Sequence, residues 1–285
     1  MATAWIREVL RSLQRPSGFA VPVLILGIVF FYPLALMFAQ AFTDPGGGHG
    51  LGGFVDVVRS GAFRSALFAT VRIGVTATSL CIAVGFALAV LIRFVSFPGA
   101  RALGRLVDTY LAFPSFLIAL SLTFLYGNAG VVPALWTAVV GAAPAATGSS
   151  FLYGFWGVVL AEVTYYTPFV MRPVLAALDT LDHAQLEVAS SLGESPLGVL
   201  RRVVLPAALP SLLAGGSLCL LLTINEFGII LVMGVKNVIT LPMLIYGKAI
   251  NEFDYPAASA VAICNIAVSL SLYFAYRSAL GRLRQ

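Results

Sequence analysis

From Thr109 to Ala161 the chain runs for 53 residues without one charged side chain. That length is more than double the roughly 20 apolar residues with which a helix crosses about 30 Å of hydrocarbon. Its Gly-, Pro- and Ala-rich middle, Gly127 to Ser150, divides it into two spans. Four further neutral runs, Pro16–Thr43, Ile73–Ile92 between Arg72 and Arg93, Val203–Asn225 and Tyr255–Tyr276, repeat the pattern. Lipid offers the backbone no hydrogen-bond partner, so such runs must satisfy themselves as helices. With 60% hydrophobic and 10% charged residues and a mean hydropathy of +0.97, the chain is too apolar for a soluble domain. The expectation is an all-α, polytopic membrane protein with about six transmembrane helices, near 18–42, 66–94, 106–127, 151–175, 208–233 and 257–277. Val131–Ala146 reads as a short extra helix, a re-entrant piece or a loop.

Basic residues orient the bundle, because short cytoplasmic loops retain Lys and Arg. Arg7, Arg11, Arg15, Arg93, Arg101, Arg105, Arg172, Arg201, Arg202, Arg277, Arg282 and Arg284, 12 of 17, fall on one side of a six-helix arrangement. Arg59, Arg64, Lys236 and Lys248 fall on the other, with Arg72 just inside the second helix. Both termini are therefore expected in the cytoplasm, with a cytoplasmic segment at 1–17 and one transmembrane domain at 18–285. The 28-residue neutral run after Arg15 exceeds the apolar core of a signal peptide and reads as a retained helix. The net charge of +5 follows from this topology, and no basic patch with interleaved aromatics suggests nucleic acid. Cys81, Cys219 and Cys264 lie in predicted spans without CxxC spacing and read as core packing.

Catalytic chemistry is sparse. His49 and His183 lack ligand-spaced companions, no HExxH or GxSxG pattern occurs, and no metal site is expected. Gly247-Lys248 lacks the upstream glycine and following Ser or Thr of a phosphate loop, so any ATP-driven work requires nucleotide on another chain.

The longest inner loop, about Ala176–Ala207, is more informative. Asp182 and Gln185 have capping-box spacing and predict a short helix from His183 to Leu192. Gly193 suits the left-handed residue that ends it, and Ser195-Pro196 opens a second short helix. Leu186, Ala189 and Gly193 share one face, Leu197, Leu200 and Val204 another, with Arg201 and Arg202 in water. The chain is expected to break before Pro206 and at Pro210, and Pro114, Pro168 and Pro173 to interrupt their helices.

Glu187-Val188-Ala189, Gly193, Val203 and Leu205-Pro206 are similar, at matching offsets, to the EAA signature of binding-protein-dependent ABC importer permeases. Val188 and Val203 replace the family's Ala and Ile. The resemblance, spanning about Ser65 to Leu280, implies a type I ABC importer permease fold in the inner membrane. It implies alternating access with a second permease, the same chain or a paralogue. Its other implied partners are an ATPase dimer binding ATP and Mg, and a periplasmic or lipid-anchored binding protein. Glu187, Ala189, Gly193, Val203, Leu205 and Pro206 would form the ATPase-coupling loop, and no cofactor would bind this chain. A self-powered transporter or channel is the rival reading; inverted repeats would favour it, and no convincing internal repeat is seen.

Glu226 follows 23 neutral residues, and Glu162 lies midway along the fourth predicted helix. A carboxylate at such depth costs about 2.5 to 3.5 kcal/mol on insertion scales and must face protein or water. Asn225-Glu226-Phe227-Gly228 looks like the Gly-Glu-Phe-Gly segment of sulfate and molybdate-type permeases, with Asn225 in place of Gly. That layout puts these four residues at the pathway or its gate; the other reading is a structural ion pair, with Arg72 as partner. Glu162, beside Tyr165 and Tyr166, reads as a buried hydrogen-bonding group, and Asp108 as a boundary charge. This segment, Ile239–Pro242 and Tyr255–Ala258 resemble the oxyanion, phosphonate, iron and polyamine branch, within it the 2-aminoethylphosphonate permeases.

Overall fold

The computed structural model describes residues 16–43, 48–141, 151–235 and 238–281. Arg7, Arg11, Arg15, Lys236, Arg282, Arg284, the segment 1–15, residues 44–47 and 142–150 lie outside them. The described chain is helical: α1 Pro16–Ala41, α2 Gly52–Arg59, α3 Gly61–Phe94, α4 Ala100–Tyr110, α5 Ser115–Tyr126, α6 Val131–Val140 and α7 Phe155–Asp179. After these come α8 His183–Ser191, α9 Pro196–Val199, α10 Leu205–Ile224, α11 Gly228–Met233, α12 Leu241–Tyr246 and α13 Tyr255–Gly281. Two π turns, Leu200–Val204 and Gly247–Asn251, complete it.

Among the described residues five helical segments are long and apolar enough to cross a membrane: Pro22–Ala41, Gly61–Phe94, Ser115–Val140, Pro196–Ile224 and Tyr255–Ser278. The remaining long helix, α7, has 25 residues, about 37 Å at 1.5 Å each. Its apolar character is diluted by Glu162, Arg172 and two prolines, as suits a helix enclosed by others.

Several boundaries differ from the sequence expectation. The span expected at 106–127 is two helices: α4, amphipathic and ending at Tyr110, and α5, which starts after Pro114. Pro114 stands extended at the N-cap of α5, where its missing N–H costs nothing. Val131–Val140 is a short helix, capped by Gly141 at φ 74°. The span expected at 208–233 is likewise divided, at Asn225–Phe227. Conversely, Pro168 and Pro173 lie inside an unbroken α7 and Pro210 inside an unbroken α10. Nor does the chain break before Pro206: the Leu205 N–H bonds to the Leu200 carbonyl, five residues back. This wider turn makes room for a ring that would collide with a normal helical turn.

The chain forms two compact units. One holds the described residues up to Ser60 together with Ile245–Ile263. In it, Phe42 stacks on Phe54 at 5.4 Å and the Gly50 N–H bonds the Phe42 carbonyl at 2.9 Å. Asp254 caps the start of α13 through the Ala257 N–H at 3.1 Å. Most of α1 exposes Leu, Ile, Val and Phe around its circumference, as befits a helix bathed in lipid.

The other unit comprises Gly61–Leu244 and the described residues from Cys264 onward, and its centre is the mutual packing of α3, α7 and α10. Without a hydrophobic drive between helices in lipid, close approach depends on small residues. A Cβ added at Gly85 would stand 3.1 Å from Val170 Cβ and 3.2 Å from the Met171 nitrogen; one at Gly215 would stand 3.0 Å from Val170 Cα. Cys81, Ala89, Val170, Met171, Val174, Ala208 and Cys219 fill the buried core between these backbones.

Candidate coupling loop and intramembrane acid site

The inner loop forms as two short helices around a turn. Asp182 caps α8 by accepting the Ala184 N–H at 3.0 Å, while Gln185 makes no return bond and lines a groove instead. The helix ends in a Schellman arrangement: Gly193, at φ 84°, donates to the Ser190 carbonyl at 3.0 Å, and Glu194 to the Ala189 carbonyl at 3.2 Å. Ser195 Oγ then caps α9 through the Gly198 N–H at 3.2 Å, and Glu194 pairs with Arg202 across the turn.

Ala189 is buried, and Leu186, Leu200 and Val204 pack onto the main core, so one side of the loop is fixed to the membrane helices. The other side faces out. Glu187 is exposed, and so are Val188 at 59%, Leu192 at 80% and Leu197 at 72%. Leu197 therefore does not share the inward face of Leu200 and Val204, because α9 is a single turn and the π turn after it rotates the next residues. Val188, Leu192, Arg202, Val203 and Ala207 line an open groove of about 660 Å³. Leu205 and Pro206, the last signature residues, begin α10.

Arg93, at the end of α3, binds this loop to the bundle, a role sequence reading did not assign. Its Nε lies 3.2 Å from Asp179 Oδ1 and donates to the Leu178 carbonyl at 3.2 Å, and one terminal nitrogen is 3.1 Å from His183 Nε2. The spacing of three groups 85 to 90 residues away carries no local signal.

The second cluster surrounds the break after α10. Asn225 closes that helix by donating to the Leu221 carbonyl at 2.8 Å, and accepts from Asn265 at 2.9 Å. Glu226, 6% exposed, turns inward. Its Oε1 accepts from Ile229 N–H at 2.8 Å and Ser115 Oγ at 3.2 Å, and its Oε2 accepts from Tyr166 Oη. The bond to Ile229 satisfies a free N–H of α11, so the acid acts as the cap of the resumed helix. Gly228 lies against the same group: a Cβ there would stand 3.4 Å from Glu226 Oε1 and 3.5 Å from Ser115 Oγ, ordinary contact distances. Phe227 is the N-cap residue itself.

Arg72 is not the partner of Glu226; its guanidinium lies over the Phe155 ring at 4.1 Å. Glu162 departs further from expectation. It is completely buried on α7, and neither carboxyl oxygen has a hydrogen-bond partner among the described residues. It is thus not a satisfied core acid.

Residues 81–285 match the family described as binding-protein-dependent transport system inner membrane component. The chain is 48% identical over 261 residues to a Salmonella choleraesuis protein named for 2-aminoethylphosphonate transport, the permease PhnU, covering 92% of this chain and 91% of that one. Its fold is similar to a chain of a bacterial ABC transporter involved in import of the acidic polysaccharide alginate, with a TM-score of 0.81, 18% identity and coverage of 99% and 100%. A bacterial alginate transporter in complex with a pentasaccharide-bound periplasmic protein gives a TM-score of 0.77 at 18% identity, covering 98% of each chain. With the family matched across most of its length and an all-helical, membrane-spanning fold to carry it, the chain belongs to the binding-protein-dependent transport system inner membrane components and is a membrane permease subunit of an ABC importer.

Proposed function

We propose that this permease imports a small phosphonate, 2-aminoethylphosphonate or a close relative, and is driven through the α8 loop by a separate ATPase. The observation that carries the coupling half is the outward face of the α8–α9 loop: Val188 and Leu192 stand in water beside Glu187 at α8, a helix capped at both ends, and Leu197 does so on α9. Large apolar side chains held rigidly in water mark a surface that a partner covers. Ala189 and Gly193 set the position and end of that helix, and Val203, Leu205 and Pro206 join it to α10. ATP and Mg belong to the partner. A second permease, this chain or a paralogue, supplies the other half of the pathway, and a binding protein delivers the substrate. Asn225, Glu226, Phe227 and Gly228 contribute to the pathway or its gate. Both termini, with the segment 1–17, lie in the cytoplasm, and residues 18–285 act as one transmembrane domain.

The substrate half rests on the 48% identity to the permease PhnU over 92% of the chain. Co-purification tests the coupling. ATP-hydrolysing activity should elute with tagged wild-type permease and be lost with Glu187→Ala combined with Leu192→Ser, at unchanged permease levels; retention of that activity would refute the assignment. Cells carrying the whole importer should accumulate labelled 2-aminoethylphosphonate, and cells lacking this chain should not.

A further inference from the structure

Glu162 and Glu226 occupy one enclosed region without a counter-ion among the described residues. Glu162 and Tyr166 sit one turn apart on the same face of α7, and Tyr166 Oη donates to Glu226. Neither carboxylate is ion-paired with a described residue. Around them stands an aromatic cluster. The Tyr165 and Tyr166 rings are 5.0 Å apart, the Tyr110 and Tyr165 rings 6.2 Å, and the Tyr166 and Phe169 rings 6.0 Å. The Tyr110 hydroxyl is buried and, like both Glu162 oxygens, has no partner among the described residues. One side reaches the surface, through half-buried Tyr165 and exposed Asn225.

An isolated carboxylate in such surroundings must be neutralised or supplied with a cation. The cation that fits is a primary ammonium. It offers three donors and no acceptor, matching the unused oxygens of Glu162 and the carboxylate of Glu226. It also gains from the π faces of tyrosine, which a hydrated metal ion does not use as well.

We propose that Glu162, with Glu226 and the flanking tyrosines, binds the ammonium group of the transported molecule when the packing of α3, α7 and α10 loosens during the cycle. The inference rests on the phosphonate reading above and extends it: the binding protein presents the substrate, and this acid pair recognises its amino end on the way through. It also gives Glu162 a reason to be acidic, which packing alone does not.

The test uses the complete importer in lipid nanodiscs, with ethylammonium chloride as the probe and sodium and magnesium chloride at equal ionic strength as controls. Ethylammonium should raise the wild-type Tm in a concentration-dependent way that the controls do not reproduce, and Glu162→Gln should abolish that rise. In cells, Glu162→Gln should lower 2-aminoethylphosphonate uptake about tenfold or more, with Glu162→Asp retaining part of it. Infrared difference spectra of the wild type should show a carboxyl band shifting when ethylammonium is added, a readout independent of whether any variant folds. An equal Tm response to all three salts, an unchanged carboxyl band, or wild-type uptake by Glu162→Gln would overturn the site. A band that shifts equally with sodium or magnesium would identify an unselective cation or proton site and overturn it too. An ammonium response in an importer that takes up no 2-aminoethylphosphonate would preserve the site and remove the substrate reading; uptake without that response would do the reverse.

Discussion

Glu226 shows how much one side chain can organise at a helix break. Three donors from three elements, Ser115 on α5, Tyr166 on α7 and Ile229 on α11, meet on its two oxygens. Removing one leaves a buried acceptor underused, which typically costs about 1 to 3 kcal/mol. Tyr166→Phe should therefore lower thermal stability measurably in purified permease, and Ser115→Ala less, since the Ser115 bond is only part-buried whereas that of Tyr166 is buried. Equal losses in thermal melts would mean that the hydroxyls matter only as packing volume. The acid itself was legible in the sequence, because an uncompensated charge after 23 neutral residues demands an explanation. Its partners were not, since Ser115 and Tyr166 lie 111 and 60 residues away and resemble ordinary span residues. Glu162 is the instructive miss: its depth in the span suggested a hydrogen bond, and only three-dimensional packing reveals that no donor among the described residues reaches it.

At the scale of elements, local rules succeeded where the backbone itself is constrained. Asp182, Gly193 and Ser195 take the cap, left-handed and cap positions that their chemistry favours. A side chain at Gly193 would meet no atom within 4 Å, so a substitution there is strained by the φ of 84° alone. Gly193→Val should cost about 1 to 2 kcal/mol in the loop and reduce uptake, whereas Gly193→Asn should be milder because Asn tolerates that conformation. Uptake and membrane abundance measured together would check this, and equal effects of Val and Asn would argue against a conformational cause. Prolines misled the sequence reading. A proline's cost depends on whether its turn can widen, and the π turn before Pro206 absorbs what looked like a break. The real interruption of that span, at Asn225–Phe227, has no proline at all and arises from side chains replacing backbone bonds at both helix ends.

For the whole molecule, the long neutral runs were enough to establish an all-helical membrane fold, because lipid leaves few alternatives. Span boundaries were less legible: α4, with Arg101, Arg105 and Asp108, is amphipathic and shares only Thr109 and Tyr110 with the neutral run that holds α5, and α7 fails a simple hydropathy test because Glu162, Arg172 and two prolines dilute it. The orientation inferred from arginine placement leads to a direct expectation. A single cysteine introduced at exposed Ser195, in a background with Cys81, Cys219 and Cys264 replaced, should react with a membrane-impermeant maleimide only in inverted vesicles. Labelling from outside intact cells would reverse the proposed topology.

The absence of a break before Pro206 has a mechanical meaning. From Pro196 to Ile224 the chain is one 29-residue helical rod, about 43 Å long at 1.5 Å per residue. It begins beside the turn at Gly193 and ends next to Glu226. Such a rod is continuous from the coupling turn to the acid cluster, with the π turn at Leu200–Val204 and Pro210 as its points of flexure. Pivoted at the end beside Gly193, a tilt of about 5° carries its far end through about 4 Å by the same geometry, more than the length of any hydrogen bond that holds the Glu226 cluster closed.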